Sequence, residues 1–166
     1  DPYLREGIDK SLGLGRCYEL KELLAGSDVL SMHVPLTDET RDMADEEFFS
    51  AMKPGALFIN TARGKIMDVS ALYNALRSGR LSAAGLDVWP VEPPPENDPL
   101  IQAWRAGEPW IRGRFTLTPH AAFFCRDSWK ELRTKAAQEV KRVLQGEKPR
   151  ACVNEEWLVN PRYLKA

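Results

Sequence analysis

The sequence predicts an α/β fold, a doubly wound parallel sheet, on three observations. Short apolar runs alternate with segments of helical spacing, the order that gives parallel strands joined by crossover helices. The run Ala83-Ala84-Gly85-Leu86-Asp87-Val88 is small and apolar almost throughout, as a strand covered on both faces is. Several runs end in a chemically able polar side chain, at the carboxyl edge where open parallel sheets bind ligands.

Asp28 to Val34 reads as a strand stopped by Pro35. Glu46 to Met52 suits a short helix with Phe48, Phe49 and Met52 on one face and Pro54-Gly55 as terminator. Ala56 to Asn60 is the next strand. Asp68 and Ser70 offer N-cap oxygens to a helix with Leu72, Ala75 and Leu76 at helical spacing, ending at Ser78-Gly79. After the Ala83–Val88 strand, residues 89–114 lose periodicity and hold six prolines with Trp104 and Trp110, which predicts a long structured loop. Phe115 to Thr118 forms the last strand. Asp127 or Ser128 caps a final helix to about Leu144, with Leu132, Ala136, Val140 and Leu144 every four residues.

At 166 residues the chain has the length of about one domain. Its 23 Lys and Arg nearly balance 24 Asp and Glu, and no stretch is strongly basic, so nothing recruits nucleic acid directly or a membrane surface. No apolar run approaches the roughly 18 residues of a membrane span, and the acidic start is unlike a signal peptide. Cys17, Cys125 and Cys152 are odd in number and lack disulfide or metal spacing. The expectation is reduced thiols in a cytoplasmic protein, with no metal.

Chemistry concentrates in the run Met52 to Gly64, which closes on Asn60-Thr61-Ala62-Arg63-Gly64, and in Leu86-Asp87-Val88, Glu92-Pro93 and Thr118-Pro119-His120. Arg63, Glu92 and His120 lie 29 and 28 residues apart, about one strand-helix-strand step each, so one sheet edge can bring them to a single substrate. His33 also ends a strand, but without a partner motif it reads as a pocket wall or a satisfied core residue. No G-x-G-x-x-G occurs, and Gly13-Leu14-Gly15 is only part of one. Asp1-Pro2-Tyr3 instead looks like the segment beyond such a turn and its helix, where an acidic residue is placed to accept from ribose hydroxyls. The sequence therefore reads as beginning within a dinucleotide-binding unit.

At these residues the chain resembles the D-isomer-specific 2-hydroxyacid dehydrogenases. Asp1-Pro2-Tyr3-Leu4, His120-Ala121-Ala122-Phe123 and Cys152-Val153-Asn154 look most like the C-terminal-binding-protein branch. That branch carries Trp three residues after the histidine, where this chain has Phe123. The resemblance implies a Rossmann-type domain lacking its first strand, glycine turn and first helix, with residues 1–149 in the NAD-binding domain and 150–166 returning toward a substrate domain. It implies Arg63, Glu92 and His120 as the catalytic set, acting on a 2-hydroxy or 2-keto acid. A guanidinium holds a carboxylate bidentately, and an imidazole exchanges a proton near neutrality while Glu92 fixes its tautomer. NAD contacts carry over to Asp1, Val34, Pro35, Leu36, Thr40, Thr61, Ala62, Arg63, Asp87, His120, Ala121, Ala122 and Phe123. Asp87 stands where the carboxamide acceptor does, and Asp1 disfavours the 2′-phosphate of NADP. A homodimer is expected of the complete protein. The competing expectation is a non-catalytic NAD(H)-sensing scaffold related to transcriptional corepressors.

Overall fold

The computed structural model describes residues 3–150 and 152. Asp1, and the tail positions beyond Arg150 other than Cys152, lie outside the described residues. The chain divides into two compact units, at Ala122 and Phe123.

The first unit is built on four parallel strands in sequential order: β1 (Val29–Met32), β2 (Ala56–Asn60), β3 (Leu81–Leu86) and β4 (Phe115–Leu117). Two short helices, α1 (Ile8–Ser11) and α2 (Leu20–Gly26), precede β1. Helix α3 (Glu46–Ala51) crosses from β1 to β2, α4 (Val69–Arg77) from β2 to β3, and α5 (Pro99–Ala106) from β3 to β4. This is the α/β crossover order expected from the alternation of patterns, and β2 falls on the expected residues.

Alternation along the strands decides which face is covered. Leu30, Met32, Ala56 and Phe58 point into the core, whereas Val29 and Leu57 are 53% and 38% exposed. Phe48 and Phe49 of α3 meet Phe58 edge to face, with centroids 6.3 and 5.0 Å apart. Full burial of a side chain such as Phe58 contributes about 1.5–3 kcal/mol. The opposite face is open at Val29 and Leu57.

Helix starts follow local chemistry. Asp45 accepts from the Phe48 N–H at 2.9 Å to begin α3, and Asp68 accepts from the Ser70 N–H at 2.7 Å to begin α4. The stretch 89–114, expected as a long structured loop, contains a helix. Asp98 accepts from the Leu100 and Ile101 N–H groups, Pro99 sits in the first turn, and Gly107 closes α5 at φ 64°. The prolines hid a helix that Asp98-Pro99 announces. Trp104 packs on Phe115 and Trp110 on Tyr73 within the chain, centroids 5.7 and 5.4 Å apart. Arg114 then ties the layers, donating to Ser82 O and Leu81 O of β3, both at 2.6 Å, and to Leu76 O of α4 at 3.2 Å.

The second unit contains α6 (Arg126–Leu144), and none of its described residues is buried. Its cap is Cys125 rather than Asp127 or Ser128. The Cys125 sulfur accepts from the Ser128 N–H at 3.3 Å, and the Ser128 hydroxyl accepts from the Cys125 N–H at 3.1 Å.

Candidate active site

The carboxyl ends of β2, β3 and β4 are stitched together by backbone bonds that continue past the sheet. The Asp87 N–H donates to Asn60 O at 3.0 Å, the Thr118 N–H to Leu86 O at 2.9 Å, and the His120 N–H to Asp87 O at 2.8 Å. Three segments far apart in sequence thus share one rim.

On the β2 side, fully buried Asn60 shapes the turn that carries Arg63. Its Oδ1 accepts from the Ala62 N–H and its Nδ2 donates to Arg63 O, both at 3.0 Å. Thr61 and Arg63 are exposed and Ala62 half-buried, and the Arg63 guanidinium donates to its neighbour's carbonyl, Ala62 O, at 2.6 Å. Asn60 carries a positioning role that sequence reading missed. A polar residue closing an otherwise apolar strand was the available signal.

Gly64 comes next, and its lack of a side chain is a spatial requirement. A Cβ there would lie 1.9 Å from the Trp89 carbonyl carbon and 2.3 Å from the Pro90 nitrogen. Bare backbone at 64 lets the Arg63 turn sit directly against the turn that leads to Glu92.

The Glu92 carboxylate divides its oxygens between two partners. Oε1 accepts from the Trp89 N–H at 3.0 Å, and Oε2 faces His120 Nδ1 at 2.7 Å. The pair is part-exposed, with side-chain accessibilities of 38% for Glu92 and 43% for His120. A carboxylate on Nδ1 fixes the orientation of the ring and favours one tautomer. The hydrogen bond to His120, helped by the Trp89 N–H, holds the Glu92 carboxyl below its ordinary value of 4.5.

Asp87 is 3% exposed. Burial pushes its carboxyl up, but bonds from Thr118, the Ala122 N–H and the Ala121 N–H outweigh this and hold it below 3.8. Oδ1 accepts from the Thr118 hydroxyl and from Ala121 N–H at 2.8 Å, and Oδ2 from Ala122 N–H at 2.8 Å. The amides of Ala121 and Ala122 are therefore spent on Asp87. Phe123 is 63% exposed and falls in the second unit.

At the β1 end, Thr40 folds the Val34-Pro35-Leu36 loop back on itself. Its hydroxyl donates to Pro35 O at 2.6 Å and accepts from the Thr37 N–H at 2.8 Å, while Val34 and Leu36 pack against the core. His33 is exposed and bonds the Ser31 hydroxyl at 2.9 Å, so it is not a core residue. A cavity of about 390 Å³ opens beside the Glu92 and His120 pair, bounded by Asp87, Trp89, Pro93 and Leu117. Arg63 lies outside that lining.

The depressed carboxyls predict an acid dependence with a definite sign. A group whose pKa is lowered on folding stabilises the fold above its unfolded value, and loses that contribution as pH falls through the folded value. Urea unfolding of the protein and of Glu92→Gln, followed downward from about pH 6, should show the unsubstituted protein losing stability more steeply below about 4.5. Parallel curves would show that the Glu92 charge adds nothing to the fold.

Comparison with known proteins identifies the family and the fold. Residues 1–122 match the family described as D-isomer specific 2-hydroxyacid dehydrogenase, NAD binding domain. A glyoxylate reductase of Korarchaeum cryptofilum is 38% identical over 156 residues, 94% of this chain and 44% of that protein. A D-3-phosphoglycerate dehydrogenase of Methanocaldococcus jannaschii is 35% identical over 154 residues, 93% of this chain and 28% of that protein. The chain thus spans less than half the length of either relative. The holo structure of Rhodotorula graminis D-mandelate dehydrogenase superimposes with a TM-score of 0.76 at 34% identity, covering 91% of this chain and 41% of that one. With the family description matched along the entire sheet and its carboxyl rim, the chain belongs to the D-isomer-specific 2-hydroxyacid dehydrogenases, as their NAD-binding domain.

Proposed function

We propose that this chain serves an NAD-dependent oxidoreductase that interconverts a D-2-hydroxy acid and the corresponding 2-keto acid. The observation that carries the reading is the Glu92 and His120 pair, 2.7 Å apart at the rim, with Arg63 on the adjoining strand end. Arg63 holds the substrate carboxylate and polarises its carbonyl, since a guanidinium stays charged and bonds bidentately. His120 gives a proton to the carbonyl oxygen in reduction and takes it back in oxidation, with Glu92 fixing the tautomer. NAD(H), when held by these residues, would supply or accept the hydride.

The rim suits that cofactor in its donor set. The loop of Val34, Pro35 and Leu36, shaped by Thr40, is an apolar wall for the adenosine half. Thr61, Ala62 and Arg63 would line the nicotinamide half, and His120, Ala121 and Ala122 are assigned to the same contact set. Asp87 Oδ2 keeps acceptor capacity beyond its one bond to Ala122, which a carboxamide N–H can use. Asp1 repels a 2′-phosphate and so selects NAD. We assign residues 1–149 to this domain and 150–166 to the return toward a substrate domain. We extend the reading to a cytoplasmic homodimer, without direct nucleic-acid contact, in the C-terminal-binding-protein-like branch. The near-balance of charge supports the lack of direct nucleic-acid contact, and His120-Ala121-Ala122 supports the branch.

The deciding experiment is NADH oxidation by the full-length protein against a panel of 2-keto acids. Turnover on at least one acid is expected and names the substrate class. NADH binding with no turnover on any acid would replace this reading with that of a cofactor-sensing scaffold.

A further inference from the structure

The acid/base assignment of His120 leaves unexplained how that residue keeps its backbone. His120 adopts φ 52°, in the left-handed region that a residue with a side chain holds only where its surroundings over-determine it. Asp87 supplies most of that constraint, the His120 N–H also donating to Thr118 O at 3.0 Å. Its carbonyl accepts from the His120 N–H, and its carboxylate accepts from the Thr118 hydroxyl and the amides of Ala121 and Ala122. Every residue from Thr118 to Ala122 except Pro119, which has no N–H, is bonded to this one side chain or its carbonyl.

We propose that Asp87 and Thr118 form an anchor that holds the left-handed backbone of His120 and so fixes the line along which its imidazole delivers a proton. Both are positioning residues, and the proposal rests on the acid/base reading of His120. The chemistry requires a carboxylate. Two acceptor oxygens meet two amides, whereas asparagine in the same place would turn an NH₂ against one of them. Thr118 adds the one side-chain donor, and valine keeps its shape while removing that donor. A shift on the order of 1 Å in a proton-transfer group costs roughly 10²-fold in rate, so small backbone relaxation at His120 is enough to be measured.

The test uses the full-length protein carrying Thr118→Val and, separately, Asp87→Asn. Thr118→Val should lower kcat for 2-keto acid reduction about tenfold or more while the NADH dissociation constant, read by fluorescence, stays close to that of the unsubstituted protein. Asp87→Asn should fall further. The His120 imidazole resonances in histidine-labelled protein, assigned through His120→Gln, should move in Thr118→Val. Unchanged kcat in Thr118→Val, or an effect confined to NADH affinity, would overturn the anchor. If the unsubstituted protein turns over no 2-keto acid, the function reading fails instead. The resonances then decide the anchor, and unmoved signals in Thr118→Val reject it. Should Asp87→Asn fail to fold, Thr118→Val carries the test alone.

Discussion

Replacing His120 with alanine in the full-length protein should lower kcat for 2-keto acid reduction by about 10²- to 10⁴-fold, the range that a positioned general acid supplies. The substitution removes the imidazole at the rim and leaves the stitching of the strand ends intact, because that stitching runs through the His120 N–H and Asp87 O, which alanine retains. NADH binding should therefore survive, and the loss should appear in kcat far more than in the cofactor dissociation constant. Stopped-flow measurement of hydride transfer with any acid turned over by the unsubstituted protein makes the comparison. A hydride-transfer rate within about twofold of the unsubstituted protein would remove His120 from the chemistry and leave Glu92 as a surface carboxylate in a turn.

Gly64→Ala should be strongly destabilising, since among the described glycines it is the one where an added Cβ would overlap backbone atoms. Gly64 does not adopt a left-handed backbone, so the difficulty is one of space. The added Cβ would lie 1.9, 2.2 and 2.3 Å from the Trp89 carbonyl carbon, the Trp89 oxygen and the Pro90 nitrogen. Backbone atoms cannot rotate away as a flexible side chain does. Either the Arg63 turn or the Trp89 turn must move, at a cost of about 3 kcal/mol or more, the upper range for overpacking. Trp89 also donates to Glu92, so movement of its backbone carries the Glu92 and His120 pair away from Arg63. Denaturant unfolding should show the lost stability, and a Gly64→Ala variant within about 1 kcal/mol of the unsubstituted protein would show the contact to be soft.

These two positions also show how unevenly the site could be read. His120 was legible because Thr118-Pro119-His120 closes a short apolar run, and Arg63 because it closes another. Gly64 was legible only as a letter in the motif, since nothing nearby in sequence indicates that Trp89 approaches it. The Glu92 partnership was legible as a pairing, but the second bond, to the Trp89 N–H, was not. The family resemblance gives Asp87 as a cofactor acceptor. The fold shows most of its acceptor capacity meeting Thr118, Ala121 and Ala122, which lie 31 to 35 residues away. Helix α5 was missed for a different reason. Its start signal, Asp98 before Pro99, is local and readable, but neighbouring prolines outweighed it.

The sequence by itself determined the α/β class, the residues of β2, the Asp68 cap of α4, and the delivery of Arg63, Glu92 and His120 to strand ends. These come from periodicity, capping and punctuation, which act among residues a few positions apart. The tertiary structure alone decided that β2, β3 and β4 lock at their carboxyl ends, that Gly64 must be bare, and that Asp87 braces the His120 backbone. Each of those depends on groups that parallel pairing brings together across a whole crossover, where no local pattern specifies the distance between them.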